Sequence, residues 1–112
     1  MGGKYEASVD QDCAAEFRKW LETASAVQKV GATRLLATFL EGTCVVGSED
    51  SSQSIITSRK DGKEVKVYYE VRATNVHMGY GICEGEIKVV CFRSILPGED
   101  VWAIAIERIN NW

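Results

Sequence analysis

The amino-acid sequence predicts an α+β fold: an N-terminal helix, with material for a second, packed on a curved four-stranded antiparallel β-meander. Three observations carry this. Residues 64–73, EVKVYYEVRA, alternate without a fault: Val65, Val67, Tyr69, Val71 and Ala73 fall on one side, and Glu64, Lys66, Tyr68, Glu70 and Arg72 on the other. A period of two with β-branched and aromatic residues marks a half-buried strand. Upstream, Cys13, Phe17, Trp20, Leu21, Ala24 and Val27 recur at three- and four-residue spacing, the stripe of an amphipathic helix. Downstream of that stripe, Asp61-Gly62 lies between two β-like runs, the strongest short hairpin signal.

In chain order, Ser8-x-x-Gln11 has the form of a capping box, and Asp10 and Asp12 suit a helix start. The helix is expected from Ser8 to Val30, with Gly31 interrupting it and with Phe17, Leu21 and Ala24 against Val65, Val67, Tyr69 and Val71. Thr33–Leu40 fits a second helix stopped near Gly42 or a buried strand running into Cys44-Val45-Val46; Glu41-Gly42 favours the helix. Residues 47–53, GSEDSSQ, read as a loop without the alternating oxygen ligands and glycine of an EF-hand. The expected strands are Ser54–Arg59, Glu64–Thr74, Ile82–Ile95 with a bend at Gly85, and Val101–Ile109. Asn75–Gly81 is expected to be a connection, and Pro97-Gly98 a turn.

Size and composition fit one domain over residues 1–112, with a core large enough to need neither metal nor disulfide. Hydrophobic residues make up 46% and charged residues 26%, which argues against a disordered or membrane chain. Apolar runs stay far short of the ~20 residues of a spanning helix. With no apolar run near Met1, the expected compartment is the cytoplasm. The net charge of −3 and scattered cations argue against nucleic acid as a partner; the local knot of Arg59, Lys60 and Lys63 reads as a solvated turn.

Four cysteines, Cys13, Cys44, Cys83 and Cys91, show no C-x-x-C pairing, and His77 is the single histidine. No metal site or cofactor is therefore expected, and the cysteines read as reduced, buried hydrophobes. Gly79-Tyr80-Gly81-Ile82-Cys83-Glu84-Gly85 is one residue too long for a dinucleotide fingerprint and precedes a strand instead of following one.

The candidate ligand-binding set is Tyr68, Glu70 and Arg72, projecting from one strand face, with His77 and Tyr80 on the connection that follows. On a curled sheet these would line a cone-shaped pocket, with Glu70 or His77 as a base and Arg72 or a tyrosine hydroxyl stabilising negative charge. The opposing interpretation is a solvated face with cross-strand ion pairs. A second set concerns association. The last two expected strands are apolar on both faces, so Val90, Phe92, Trp102, Ile104, Ile106 and Trp112 are expected at an interface, most simply that of a homodimer.

Helix first, then a curved meander, is similar in element order and size to cystatin-like folds and to the nuclear transport factor two superfamily. The Gln-Val-Val-Ala-Gly hairpin of cystatins is absent; Thr43-Cys44-Val45-Val46-Gly47 is the nearest stretch. Fold analogy does not give function. The expected function is a small non-catalytic binding or interaction module for a small molecule or protein partner. The alternatives are a small isomerase, cyclase or hydrolase with a cone-shaped pocket, and an inhibitor or immunity-type protein presenting acidic loops such as Ser48–Asp50.

Overall fold

The structure, a computed structural model, describes residues 6–41, 54–72 and 75–112, leaving aside the Arg72 side chain. In chain order these form β1 (Glu6–Val9), α1 (Gln11–Thr23), α2 (Ala26–Leu40), β2 (Ser54–Ser58), β3 (Glu64–Arg72), β4 (Val76–Cys83), β5 (Glu86–Arg93) and α3 (Val101–Asn110). The fold is α+β, with three helices and a five-stranded, mostly antiparallel sheet in the order β1-β5-β4-β3-β2. β1 pairs with β5 in parallel, and every other pairing is antiparallel. One core lies between the sheet and α1 and α2, and a second lies between the sheet and α3.

The N-terminal helix is two helices. Asp10, not Ser8, caps α1 by accepting the Cys13 N–H, while Ser8 lies in β1. The break comes at Ala24–Ser25, where Ser25 and Gln28 form a reciprocal capping box that starts α2. Gly31 is inside α2 and interrupts nothing. Thr33–Leu40 is helical, as Glu41-Gly42 suggested. Cys44 and the expected loop at 47–53 lie outside the described residues.

The strands differ from the expected meander in three places. Val76 to Gly81 is strand, not connection, so β3 and β4 pair from Lys66↔Ile82 to Arg72↔Val76. The expected strand Ile82–Ile95 turns back at Glu84-Gly85. Both residues have positive φ, 47° and 82°, which suits a two-residue hairpin turn. The irregularity expected at Gly85 lies instead within β5. Tyr80 pairs with Val89 and Gly79 with Cys91, leaving Val90 as the extra residue of a bulge.

That bulge changes the facing of everything after it, because one inserted residue reverses a period of two. Ile87 and Val89 belong to the α1/α2 core, and so does Phe92, whose ring lies 5.2 Å from that of Phe17. Val90 belongs to the α3 core.

The largest correction is at the C-terminus, where Val101–Ile109 is helix. Val101, Ala105 and Ile109, spaced i, i+4, i+8, are its buried side, and Asp100 caps it by accepting the Trp102 N–H. β4 presents Gly79 and Gly81 to it. A Cβ on Gly81 would come within 2.7 Å of Ile109 Cδ1 and 2.8 Å of Val65 Cγ1, so α3 sits where only glycine leaves room. The second apolar face is thus covered by the chain itself.

The expected interface set is dispersed accordingly. Val90 and Phe92 are fully buried under α3 and α1 respectively. Trp102, Ile104 and Ile106 are half-buried positions of α3, not strand residues. Trp112 packs beside the α3 core, with the Arg59 guanidinium 4.8 Å and Lys88 Nζ 5.4 Å from its ring centre, and its carbonyl accepts the Lys60 N–H. With β1 before the first helix and α3 after the sheet, the element order is not helix-then-meander.

Candidate functional site

Among the described residues, the structure does not bring the predicted ligand set onto one face of the sheet. It divides them between two tyrosine pairs on opposite faces of the sheet. On the α1/α2 face, Tyr68 and Tyr80 are cross-strand partners with rings stacked at 5.3 Å. Phe39 of α2 meets the Tyr80 ring edge-on at 5.5 Å, and Tyr80 Oη donates to Glu70 Oε2 at 2.6 Å. Tyr80 is fully buried and Tyr68 nearly so. On the α3 face, His77 stacks on Tyr69 and shares a 2.6 Å hydrogen bond between Nδ1 and Oη, with Trp102 edge-on to Tyr69. Burial pushes the Tyr69 phenol up, with Cys91 and Asp100 nearby adding to it. Arg72 closes β3, and its side chain lies outside the described residues, as do Ser48–Asp50.

A concave feature with built chemistry lies elsewhere. A groove of about 510 Å³ runs between α1 and the segment joining β5 to α3. Glu16, Lys19, Trp20 and Thr23 form one wall, spaced i, i+3, i+4, i+7 along a single side of α1. Arg93, Ser94, Leu96 and Glu99 form the other. That second wall is shaped by a turn in which the Glu99 N–H donates to the Leu96 carbonyl at 3.1 Å, with Gly98 at φ 89°. Pro97 at the second position and a positive φ at the third are the marks of a type II turn, as Pro97-Gly98 predicted.

A chain of alternating charges joins the walls: Glu99, Arg93, Glu16, Arg108 and Asp10. Arg93 grips Glu99 with two bonds, Nη1 to Oε1 at 2.8 Å and Nη2 to Oε2 at 3.0 Å, and reaches Glu16 Oε1 from Nε at 3.2 Å. Arg108 grips Glu16 from the far side, Nη1 to Oε1 at 2.8 Å and Nη2 to Oε2 at 2.7 Å. Its Nη1 also donates to the Val90 carbonyl at 2.9 Å, and its Nε lies 3.9 Å from Asp10 Oδ2. The bulge explains the Val90 contact, since a bulged residue has no partner directly opposite in β4. Bidentate guanidinium–carboxylate pairs fix geometry as well as charge.

These contacts set the protonation states. The two Arg93 bonds, helped by the Leu96 N–H, hold the Glu99 carboxyl down at about 2. The Arg108 bonds, then those of Arg93, hold Glu16 below the ordinary range against the opposing effect of burial. Trp20 supplies the apolar wall. It lies 5.9 Å from Phe17, which in turn meets Phe92, so the groove is continuous with the core. Leu96 stands exposed across from it. Lys19 is a cation with no ion pair among the described residues.

Sequence reasoning missed this site because its partners are far apart in the chain. Glu16 and Arg108 are separated by 92 positions and Glu16 and Arg93 by 77; no local pattern joins them. The one usable local signal was that Glu16, Lys19 and Thr23 share a side with Trp20, an aromatic at the rim of a polar stripe.

Among the described residues no group of three or more His, Cys, Asp or Glu could hold a metal ion. Cys13, Cys83 and Cys91 are free and buried, and burial pushes Cys13 up to about 12 and Cys91 up to about 11. Such thiols are poor nucleophiles near neutral pH. No described helix is long and apolar enough to cross a membrane. Comparison with protein families, with curated proteins and with solved structures finds no match to this chain.

Proposed function

We propose that the protein is a small non-catalytic binding module, and that the groove between α1 and the β5–α3 link takes a small amphipathic carboxylate. The ligand's apolar body would lie between Trp20 and Leu96, and its carboxylate would meet Lys19. What carries the non-catalytic reading is the state of the two carboxylates in the walls. Glu16 and Glu99 are tied to arginines and held ionised, Glu99 down at about 2. An effective acid or base has a pKa near the working pH; these groups supply fixed charge and rigid walls. The volume is in the range of small-ligand sites. The hydrogen-bonded Tyr80–Glu70 and Tyr69–His77 pairs do not line it.

The test is thermal unfolding with 1-naphthoate, with 1-naphthylmethylamine and 1-naphthalenemethanol as controls. A ligand at ten times its Kd adds about 1.4 kcal/mol to the native state, enough to raise Tm by several degrees. The carboxylate should do this and the amine should not, and the shift should disappear in Lys19→Gln and in Leu96→Asp. Equal stabilisation by all three compounds, or an undiminished shift in both variants, would reject the reading.

A further inference from the structure

The charges around the groove do not balance about an anion. The chain that joins its walls holds three carboxylates, Glu99, Glu16 and Asp10, against two guanidiniums, Arg93 and Arg108. Lys19 on the α1 wall, which makes no ion pair among the described residues, brings the sum to zero. A carboxylate seated on Lys19 takes that balance away and leaves one negative charge uncompensated between two protein walls. Like charges gathered at a binding surface are costly. A ligand that carries a positive charge of its own keeps the sum at zero.

The hydrogen bonds single out where that positive charge would go. Glu99 Oε1 accepts two bonds, from Arg93 Nη1 and from the Leu96 N–H. Glu99 Oε2 accepts one, from Arg93 Nη2. Each oxygen of an ionised carboxylate can accept two, so among the described residues Oε2 has room for one more donor. The Glu99 side chain is partly exposed, and it belongs to the wall that faces Lys19. Its carboxyl, held down at about 2, stays charged wherever an amine is charged. Arg93 is differently placed. Four of its five N–H groups are taken, by Glu16, Glu99 and the Ser94 carbonyl. Lys19 is thus the cation left for a ligand and Glu99 the acceptor, one on each wall, with apolar surface from Trp20 and Leu96 beside them.

Resting on the reading that the groove takes a carboxylate, we propose that its ligand is a free α-amino acid with an apolar aromatic side chain. The α-carboxylate meets Lys19, the α-ammonium donates to Glu99 Oε2, and the ring lies between Trp20 and Leu96. An α-amino acid carries both charges on one carbon, so a single head group bridges the walls. The end of a peptide does not offer this pair. Its first residue has its carboxylate tied up in an amide, and its last residue has lost its ammonium in the same way.

Isothermal titration with three probes that share one ring tests the proposal. They are 3-(1-naphthyl)alanine, 3-(1-naphthyl)propanoate, which lacks the ammonium, and 3-(1-naphthyl)alaninamide, which lacks the carboxylate. The amino acid should bind about tenfold or more tighter than either of the others, the gain expected of one charge-assisted hydrogen bond. Glu99→Gln should bring the amino acid and the propanoate to within about threefold of each other, because the ammonium then meets a neutral acceptor. Propanoate binding as tight as that of the amino acid in the unaltered protein overturns this inference and leaves the carboxylate reading standing. Amide binding as tight as that of the amino acid, or no binding by any of the three, overturns the carboxylate reading and this inference with it. A full amino-acid advantage that survives Glu99→Gln overturns the role given to Glu99. The comparison of the three probes in the unaltered protein needs no variant to fold.

Discussion

The two faces of the sheet hold their helices by different means. Toward α1 and α2 the sheet offers large rings: Tyr68, Tyr80 and Phe92 meet Phe17 and Phe39 in stacked, tilted and edge-on contacts. Toward α3 it offers a trench. Gly79 and Gly81 of β4 lie between Val65 and Val67 of β3 and Val90 of β5, and Val101, Ala105 and Ile109 drop into it. One face gains contact by side-chain area and can adjust by rotating a ring. The other gains it by backbone approach and has no slack. Packing defects should therefore cost more on the α3 face, and lost polar contacts more on the α1/α2 face.

The largest expected effect is Gly81→Val. The new Cβ would lie 2.7 Å from Ile109 Cδ1 and 2.8 Å from Val65 Cγ1, with two further methyl groups to place. Overpacking of this kind costs about 3 kcal/mol, read as a lower midpoint in urea unfolding. Gly79→Ala is the control, since its Cβ would meet Val101, Ala105 and Cys91 at 3.4–3.5 Å, close to ordinary contact. It should change stability by less than about 1 kcal/mol. Equal losses in the two variants would remove the trench as the reason α3 sits where it does.

This asymmetry also explains what could be read in advance. The alternation in 64–73 identified β3 and its two faces correctly, and Asp61-Gly62 located its hairpin. What alternation could not reveal was that both faces are covered. Val65 and Val67 were expected against the N-terminal helix but face α3, while the side that carries Tyr68 lies beneath α2. The error has a physical source. Val101–Ile109 is rich in β-branched residues, and its apolar positions fit a strand as well as a helix until the partner surface is known. Asp100 as a cap and the i, i+4, i+8 spacing of Val101, Ala105 and Ile109 were the signals for helix. The space that makes the helix fit lies in Gly79 and Gly81, some twenty residues earlier. Of the residues named as a candidate site, Tyr68, Glu70 and Tyr80 lie together on one face of the sheet. His77 was placed with them because a strand residue was taken for a loop residue, and the groove depends on pairings that no local spacing encodes.

A middle-sized effect sharpens the polar half of the comparison. Tyr80→Phe removes the 2.6 Å bond to Glu70 and leaves a half-buried carboxylate with one donor fewer. Hydrogen bonds to charged acceptors contribute about 1.5–3 kcal/mol, and the partial exposure of Glu70 puts the expected loss at about 1–2 kcal/mol. Tyr69→Phe removes a bond of the same length to the His77 ring at a less buried position, and should cost about 0.5–1 kcal/mol. Thermal unfolding of the two variants at pH 7 gives the order directly. A greater loss in Tyr69→Phe would mean that the α3 face depends on its polar pair more than on the trench.

The smallest effect concerns the rim, where the two faces meet. There Arg93 and Arg108 tie Glu16 of α1 to Glu99 and α3 along the open stretch of β5. Folded Glu99 titrates at about 2 and Glu16 below its ordinary value, while in the unfolded chain both return to about 4.3. Between those limits the unfolded state binds protons that the folded state does not, so stability must fall as pH falls. The contribution is whole above about pH 5, declines from there toward pH 2, and does not change between pH 6 and 8 on account of these groups. Both carboxylates are about a third exposed, at 32% for Glu16 and 29% for Glu99, so water and salt screen the pairs and the total is modest. Glu99→Gln should lower stability slightly at pH 7 and flatten the acid limb between pH 5 and 2, and 0.5 M NaCl should bring the unaltered protein toward the variant. Urea midpoints measured from pH 7 down to pH 2 give both curves. Parallel acid limbs would show that the arginine grip on Glu99 adds nothing to the folded state, and that the two faces are held together by their cores alone.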